Sequence, residues 1–289
     1  LHGGEHVRMT LYPAEPDTGI VFRRSDVHDK FNEIPARFDY VADTRMCTTL
    51  RNADGVSVMT VEHLMAALSG CGIDNLTVEI DGPEIPVMDG SAEPFVFLIE
   101  CAGVVEQDAP RSVIQILEPV TVRRGDCIAT LEPAEKFSIQ FGIDFDNAVI
   151  GRQEISLNLT EPSFKAEICR ARTFGFLHEV ESLREAGLAK GGSLDNAVVL
   201  NGDTVMNDGG LRYTNEFVRH KVLDCIGDLY LAGAPVLGCF RGEKTGHALN
   251  NELLRTLFAN TDAWTRVRLE PPYDYVAEPW IPEAIAVGA

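Results

Sequence analysis

Hydrophobic positions along this chain change from a two-residue period to a helical one and back, and they do so twice. From Leu1 to about Leu50 the alternations Val7, Met9, Leu11 and then Ile20, Phe22 predict short strands, with Pro13, Pro16 and Gly19 as turns. An apolar stretch from Val58 predicts a helix over Val61 to Leu68, ended by Gly70 and Gly72. A strand over Asn75 to Ile80 follows, then a helix over Glu93 to Cys101 that opens after Asp89-Gly90-Ser91. The polar stretch Val105 to Ser112 reads as a linker. Strands then restart at Val113 to Ile116, Val120 to Arg123, Cys127 to Leu131 and Phe137 to Phe145. Helices are expected at about Ser163 to Ile168, Val180 to Ala186 and Glu216 to Ala232, a strand at Pro235 to Arg241, and a last helix at His247 to Phe258.

The halves echo one another. A helix carrying His63, a strand and a helix opening near Asp89 are matched by a helix carrying His220, a strand and a helix opening at His247, at nearly the same spacing. The expected fold class is therefore α+β, built from two similar domains facing each other, with a site in the cleft between them. The boundaries expected are domain I at 1–105, linker at 106–112, domain II at 113–269 and a Pro-, Ala- and Glu-rich tail at 270–289. A chain of 289 residues suits two domains of about 130 each.

Within the helix at Glu216, the polar residues His220, Asp224 and Asp228 recur every fourth position among Val222, Leu223 and Ile226. Side chains at i and i+4 share one stripe of a helix. An imidazole and a carboxylate on that stripe can bind one cation, and burying them calls for such a partner. A solvated polar face is the other reading, and the segment by itself does not decide.

A catalytic zinc site takes three protein ligands and keeps a position for water. His220 and Asp224 supply two, and His63, its counterpart in the echo, is the natural third. Glu62 precedes it, where a carboxylate can act as base, although no H-E-x-x-H is present; taken alone, an ordinary helix-surface Glu–His pair is the plainer reading. His247 follows Gly246 at a helix start and suits a general acid, with Asp228 as the acidic partner that would hold it protonated; a capping or surface histidine is the plainer reading. Thr173, in Arg170-Ala171-Arg172-Thr173-Phe174-Gly175-Phe176, either donates to an oxyanion or caps a helix. Leu188-Ala189-Lys190-Gly191-Gly192-Ser193 lacks a P-loop ending and reads as a close-approach loop or a surface turn.

The net charge of −19 argues against nucleic-acid binding. Seven scattered cysteines with no C-x-x-C pair fit a reducing cytosol, hence a cytoplasmic location. No apolar run is long enough to span a bilayer, and no signal peptide is visible. The opening Leu1-His2-Gly3-Gly4-Glu5 stands in mid-motif without a Met, and further residues are expected ahead of it.

Thr60-Val61-Glu62-His63-Leu64, Glu84 to Ser91, Arg170 to Phe176, Phe217 to Asp228 and Gly246 to Asn251, in this order, closely resemble the UDP-3-O-acyl-N-acetylglucosamine deacetylase family, zinc amidases at the committed step of lipid A biosynthesis in Gram-negative bacteria. The resemblance runs from Leu1 to about Leu269. It implies Zn²⁺ held by His63, His220 and Asp224, Glu62 as general base, and His247 as general acid with Asp228 behind it. It further implies Thr173 at the oxyanion and Lys221 at the sugar or diphosphate. Phe145 would pack on uracil with Asp144 beside it, His2 would lie near the nucleotide, and Cys47 would line the substrate site. An inserted β-α-β unit at about 174–199, with Phe174, Phe176, Leu183, Ala189, Gly192, Ser193 and Val199, would form the acyl passage. The fold implied is a β-α-α-β sandwich with small inserts, and the expected partner is one acylated nucleotide sugar bound by a monomer. Two departures stand out. Gly125-Asp126-Cys127 replaces a lysine that some members carry near the diphosphate, so Arg123 or Arg124 substitutes or the contact is absent. Ala189 is smaller than the cysteine of some relatives. Two other functions stay open on sequence: a zinc amidohydrolase for another N-acyl sugar, and a non-catalytic nucleotide-sugar binding protein.

Overall fold

The computed structural model describes residues 1–269; the tail expected at 270–289 lies outside the described residues. The helices are α1 (Glu62–Gly70), α2 (Glu93–Ala102), the single turn α3 (Glu161–Ser163), α4 (Leu177–Glu185), α5 (Glu216–Tyr230) and α6 (His247–Ala259).

A four-stranded sheet places Met9–Pro13, Leu76–Ile80, Ile20–Arg24 and Glu33–Pro35 side by side, with only the central pair parallel. Its period-two pattern turns Ile20, Phe22, Leu76, Val78 and Ile80 into a core shared with Leu64 and Leu68 of α1 and Phe95, Val96 and Ile99 of α2. A five-stranded sheet runs Arg152–Asn158, Ser138–Asp144, Cys239–Glu243, Cys127–Glu132, Val120–Arg124, again with one parallel pair. Its buried residues Ile139, Phe141, Leu131 and Phe240 join Leu253, Leu254 and Leu257 of α6 and the apolar residues of α5. Sheet, helices, helices, sheet is the resulting α+β layering.

The two inner helices meet through backbone. Gly227 of α5 has so little room that a Cβ there would lie 2.0 Å from the Glu62 carbonyl oxygen of α1. All of α1 except Ser69 is buried, and so is α5 apart from Arg219 and Lys221. Helices apolar on every side belong in a core. The solvated reading of the α5 stripe is thereby excluded, since His220, Asp224 and Asp228 are each 4% exposed or less.

Four strand and helix expectations need correction. Arg152–Asn158 was not foreseen, because as an edge strand it is buried nowhere and carries Arg152 and Glu154 among its apolar positions. Trp264–Leu269 was missed likewise; it pairs with Arg111–Ile116, so Arg111 and Ser112 already belong to a strand. The strand expected at Pro235 to Arg241 is divided at Gly238 into Val236–Leu237 and Cys239–Glu243, which join different sheets. A Cβ on Gly238 would lie 2.7 Å from Ile116 Cγ1, so the bend needs glycine. The helix expected near Ser163 is mostly a π-turn over Phe164–Ile168, after the capping box of Thr160 and Ser163.

The substitution Gly227→Ala should lower stability by about 1–3 kcal/mol in urea unfolding, the usual effect of overpacking. A variant as stable as its parent would mean that α1 and α5 do not touch through their backbones.

Candidate metal and acid–base site

Three elements deliver the polar groups. Helix α1 opens with Glu62 and His63, α5 contributes His220, Asp224 and Asp228 from successive turns, and α6 opens with His247. Because consecutive helix residues point about 100° apart, Glu62 and His63 address neighbouring parts of the same space.

Asp224 Oδ1 stands 3.4 Å from His220 Nε2 and 3.6 Å from His63 Nε2. The imidazole rings lie 5.0 Å apart, nearly perpendicular. All three donor atoms fall within 4.8 Å of one another. A tetrahedral ion with bonds of about 2.0–2.2 Å separates its ligands by roughly 3.3–3.6 Å, so the His₂Asp set fits a divalent cation such as Zn²⁺. His220 fits in protonation state too. Burial drives His220 down to about 4, against the pull of Asp224, which leaves it a free base at neutral pH. Its Nδ1 faces the Ala171 carbonyl at 3.1 Å, the orienting contact expected behind a metal-ligating histidine. Burial pushes Asp224 up, but His220 and Lys221 outweigh it and hold the carboxyl well below the ordinary value. Lys221 Nζ donates to Asp224 Oδ2 at 2.7 Å, leaving Oδ1 for the histidines.

Beside this cluster sits a carboxylate–imidazole pair. Glu62 Oε1 is 3.8 Å from His247 Nε2, and His247 Nδ1 bonds Asp228 Oδ2 at 2.8 Å. Burial raises Glu62 above the usual carboxylate range, with His247 and His63 opposing. For His247, burial is outweighed by the Asp228 and Glu62 carboxylates, which carry it up to about 9. The arrangement therefore holds a proton on His247 beside a carboxylate at neutral pH, the split of roles that acid–base chemistry requires.

The remaining expected residues fall into two groups. Phe174 stacks edge-on to Phe217 and lies 6.2 Å from the His220 ring, Phe145 touches Phe174 and Phe176, and these aromatics lead away from the histidines. Thr173 is held by its amide on the Gly90 carbonyl at 2.8 Å and by its carbonyl on the Val198 amide at 2.7 Å. His2 is buried with Nε2 unpartnered among the described residues. Cys47 is buried, and burial together with Glu62 raises its thiol to about 11. Leu183, Ala189, Gly192 and Val199 lie half-buried along the strand–helix–strand segment Phe174–Phe176, α4 and Val198–Asn201, whereas Ser193 is exposed. Asp144 is at the rim, bonded by Lys244 at 3.0 Å, and Lys244 also reaches Asp126.

Several residues around the site were not foreseen. Thr48 donates its amide to Glu62 Oε2 at 3.0 Å and its hydroxyl to Asp228 Oδ1 at 2.6 Å, so it ties the carboxylate of α1 to that of α5. Asn250 donates to Asp228 Oδ2 at 2.9 Å. Glu216 extends the α5 stripe one turn towards its N-terminus and accepts from the Arg172 amide and guanidinium and the Arg212 amide. The i−4 spacing from His220 signalled Glu216, and the i+3 spacing from His247 signalled Asn250; nothing around Thr48 marked it out.

The family model for UDP-3-O-acyl N-acetylglycosamine deacetylase matches residues 1–259. The UDP-3-O-acyl-N-acetylglucosamine deacetylase of Acidithiobacillus ferrooxidans is 55% identical over 267 residues, covering 91% of this chain and 87% of that protein. The enzyme of the same name from Phenylobacterium zucineum is 54% identical over 268 residues, 93% of this chain and 91% of the relative. That of Pseudomonas entomophila is 54% identical over 272 residues, 93% and 89% respectively.

Half-buried Arg172, next in sequence to the Ala171 that contacts His220, forms a charge pair with buried Glu216. Glu216→Ala strands the guanidinium and should destabilise the fold by about 3–5 kcal/mol. Denaturant unfolding measures this, and a change under 1 kcal/mol, roughly the worth of a surface pair, would show the pair to be solvated.

Proposed function

The chain belongs to the UDP-3-O-acyl-N-acetylglucosamine deacetylase family, and we propose on that premise how its own residues carry out the reaction. The protein hydrolyses the N-acetyl amide of UDP-3-O-acyl-N-acetylglucosamine in lipid A biosynthesis, releasing acetate and the free 2-amino sugar. What carries the mechanistic reading is a single meeting of groups: Glu62 and His247, 3.8 Å apart, beside the donor atoms of His63, His220 and Asp224.

His63, His220 and Asp224 would hold Zn²⁺. A bound zinc ion supplies Lewis acidity, making water acidic enough to ionise near neutral pH and polarising a carbonyl. Glu62 takes the proton from the attacking water. The Thr173 hydroxyl donates to the oxyanion as the carbonyl carbon becomes tetrahedral. His247, charged through Asp228, protonates the leaving nitrogen as the C–N bond breaks. Thr48 keeps Glu62 and Asp228 in register, so the two proton-transfer groups are positioned together. Lys221, held on Asp224, spreads positive charge towards the sugar and diphosphate.

In this reading Phe145, Asp144 and His2 receive the nucleotide, and Cys47 lines the sugar site. Phe174, Phe176, Leu183, Ala189, Gly192, Ser193 and Val199 form the acyl passage, which the aromatic row running out from His220 supports. Domain I at 1–105 then brings Glu62 and His63, with His2 and Cys47, and domain II at 113–269 brings His220, Asp224, His247 and the insert at about 174–199. The enzyme acts as a monomer in the cytoplasm; among the described residues no helix is long and apolar enough to cross a membrane.

The deciding experiment measures bound zinc and acetate release from the acylated nucleotide sugar before and after chelation. Activity that survives complete metal removal would overturn the zinc assignment. Glu62→Ala should retain the metal and lose about 10²–10⁴-fold in kcat, the range for one acid–base group; full turnover would exclude Glu62 as base. The pH profile has a defined sign. A general acid raised to about 9 stays protonated through neutral pH, so kcat/KM should fall only as pH rises through that value. His247→Ala should flatten this basic limb, and an unaltered limb would transfer the role to another group such as Lys221.

A further inference from the structure

Glu84 is a buried carboxylate, 6% exposed, that the chemistry above leaves unused. Its Oε1 accepts from the His2 amide at 2.7 Å and from Thr60 Oγ1 at 3.0 Å, and its Oε2 accepts from the Gly3 amide at 2.7 Å. The Leu1 nitrogen stands 3.1 Å from Oε1. Burial would raise this carboxyl, but the contacts it accepts, led by the His2 and Gly3 amides, together keep it below its ordinary value. An ionised carboxylate forms stronger bonds to amides than a neutral acceptor does, so the clamp is firm.

The opposite side of the clamped segment carries the loop at 189–192. Lys190 donates its amide to the His2 carbonyl at 3.2 Å, and Gly191 donates to the Leu1 carbonyl at 2.9 Å. The Ala189 amide faces His2 Nδ1 at 3.4 Å. The two backbones leave little room for a side chain between them. A Cβ on Gly191 would lie 3.1 Å from Gly4 Cα, and one on Gly4, whose φ is +74°, would lie 3.0 Å from Lys190 Cβ. The loop at 189–192 therefore rests on a ledge, and Glu84 holds that ledge from beneath.

We propose that Glu84 is a positioning residue that sets acyl-chain specificity: it clamps the His2–Gly3 ledge against which the loop of the acyl passage is seated. The inference rests on the passage reading given above. A wall free to recede by a fraction of an ångström forfeits much of its dispersion contact with an apolar chain. Its displacement weakens the grip on the chain and leaves the proton-transfer groups in place. The expected signature is a rise in KM that grows with acyl length, without a matching loss of kcat.

The test uses the full-length, zinc-loaded protein and two UDP-N-acetylglucosamine substrates whose 3-O-acyl chains differ by four methylenes. Acetate release gives kcat and KM for the parent, Glu84→Gln and Gly191→Ala, the last disturbing the same contact from the loop side. In both variants the long-to-short ratio of kcat/KM should fall about tenfold, equivalent to about 1.4 kcal/mol. The fall should appear in KM. A ratio equal to the parent's would overturn the proposal, and so would an equal loss of kcat on both substrates, which would place Glu84 behind Thr60 and Glu62 instead. If Glu84→Gln does not fold, Gly191→Ala decides by the same ratio. A parent that does not discriminate between the two chains overturns the passage reading itself, and the proposal with it.

Discussion

Everything at the site hangs on one contact, the seating of the α1 backbone in the notch that Gly227 leaves in α5. Glycine inside a helix is unfavourable by about 1 kcal/mol relative to alanine. Here it lets two helices approach more closely than any side chain would allow. Gly227 lies between Asp224 and Asp228 on α5, and the carbonyl it admits belongs to Glu62. One contact thus sets His63 against Asp224 and Glu62 near His247. Helices held a methyl group further apart would keep the same residues and separate the groups that must cooperate.

That closeness brings several acids into a space with little water, where an unpaired charge is severely unfavourable. The chain meets this by giving each carboxylate its own set of donors. Asp228 receives Thr48, His247 and Asn250; Glu216 receives Arg172 and Arg212; Glu62 receives the Thr48 amide. Asp224 differs. Lys221 satisfies one oxygen, and the other faces two imidazole nitrogens, one of them on a histidine that burial keeps neutral. An oxygen that faces two imidazole nitrogens, with His220 a free base, suits a cation placed between them, and that asymmetry distinguishes a metal site from a structural ion pair.

How far this was legible in the sequence depended on whether the signal was local. The α5 stripe, the Glu62–His63 pair and the doubled strand–helix pattern are short-range periodicities, and helix spacing converts them directly into shared faces. Those periodicities left undecided whether the stripe was dry, because burial depends on what α1 places over it. Thr48 was invisible because both its bonds reach distant elements. The edge strand Arg152–Asn158 escaped because exposed charges mask its alternation, and the bend at Gly238 because Ile116, which requires it, lies on another strand. Gly227 carried no signal in the sequence, because what requires it is the Glu62 carbonyl of another helix.

The bond between Thr48 and Asp228 joins residues 180 positions apart. Contacts of such long range form late, since the intervening chain must first be ordered. During synthesis the amino-terminal half therefore emerges with Glu62 and His63 facing no counterpart, and the apolar surface of α1 stays uncovered until α5 has been made. The site groups of the two halves meet only where α5 and α6 lie against α1, so an incomplete chain carries no half-active centre.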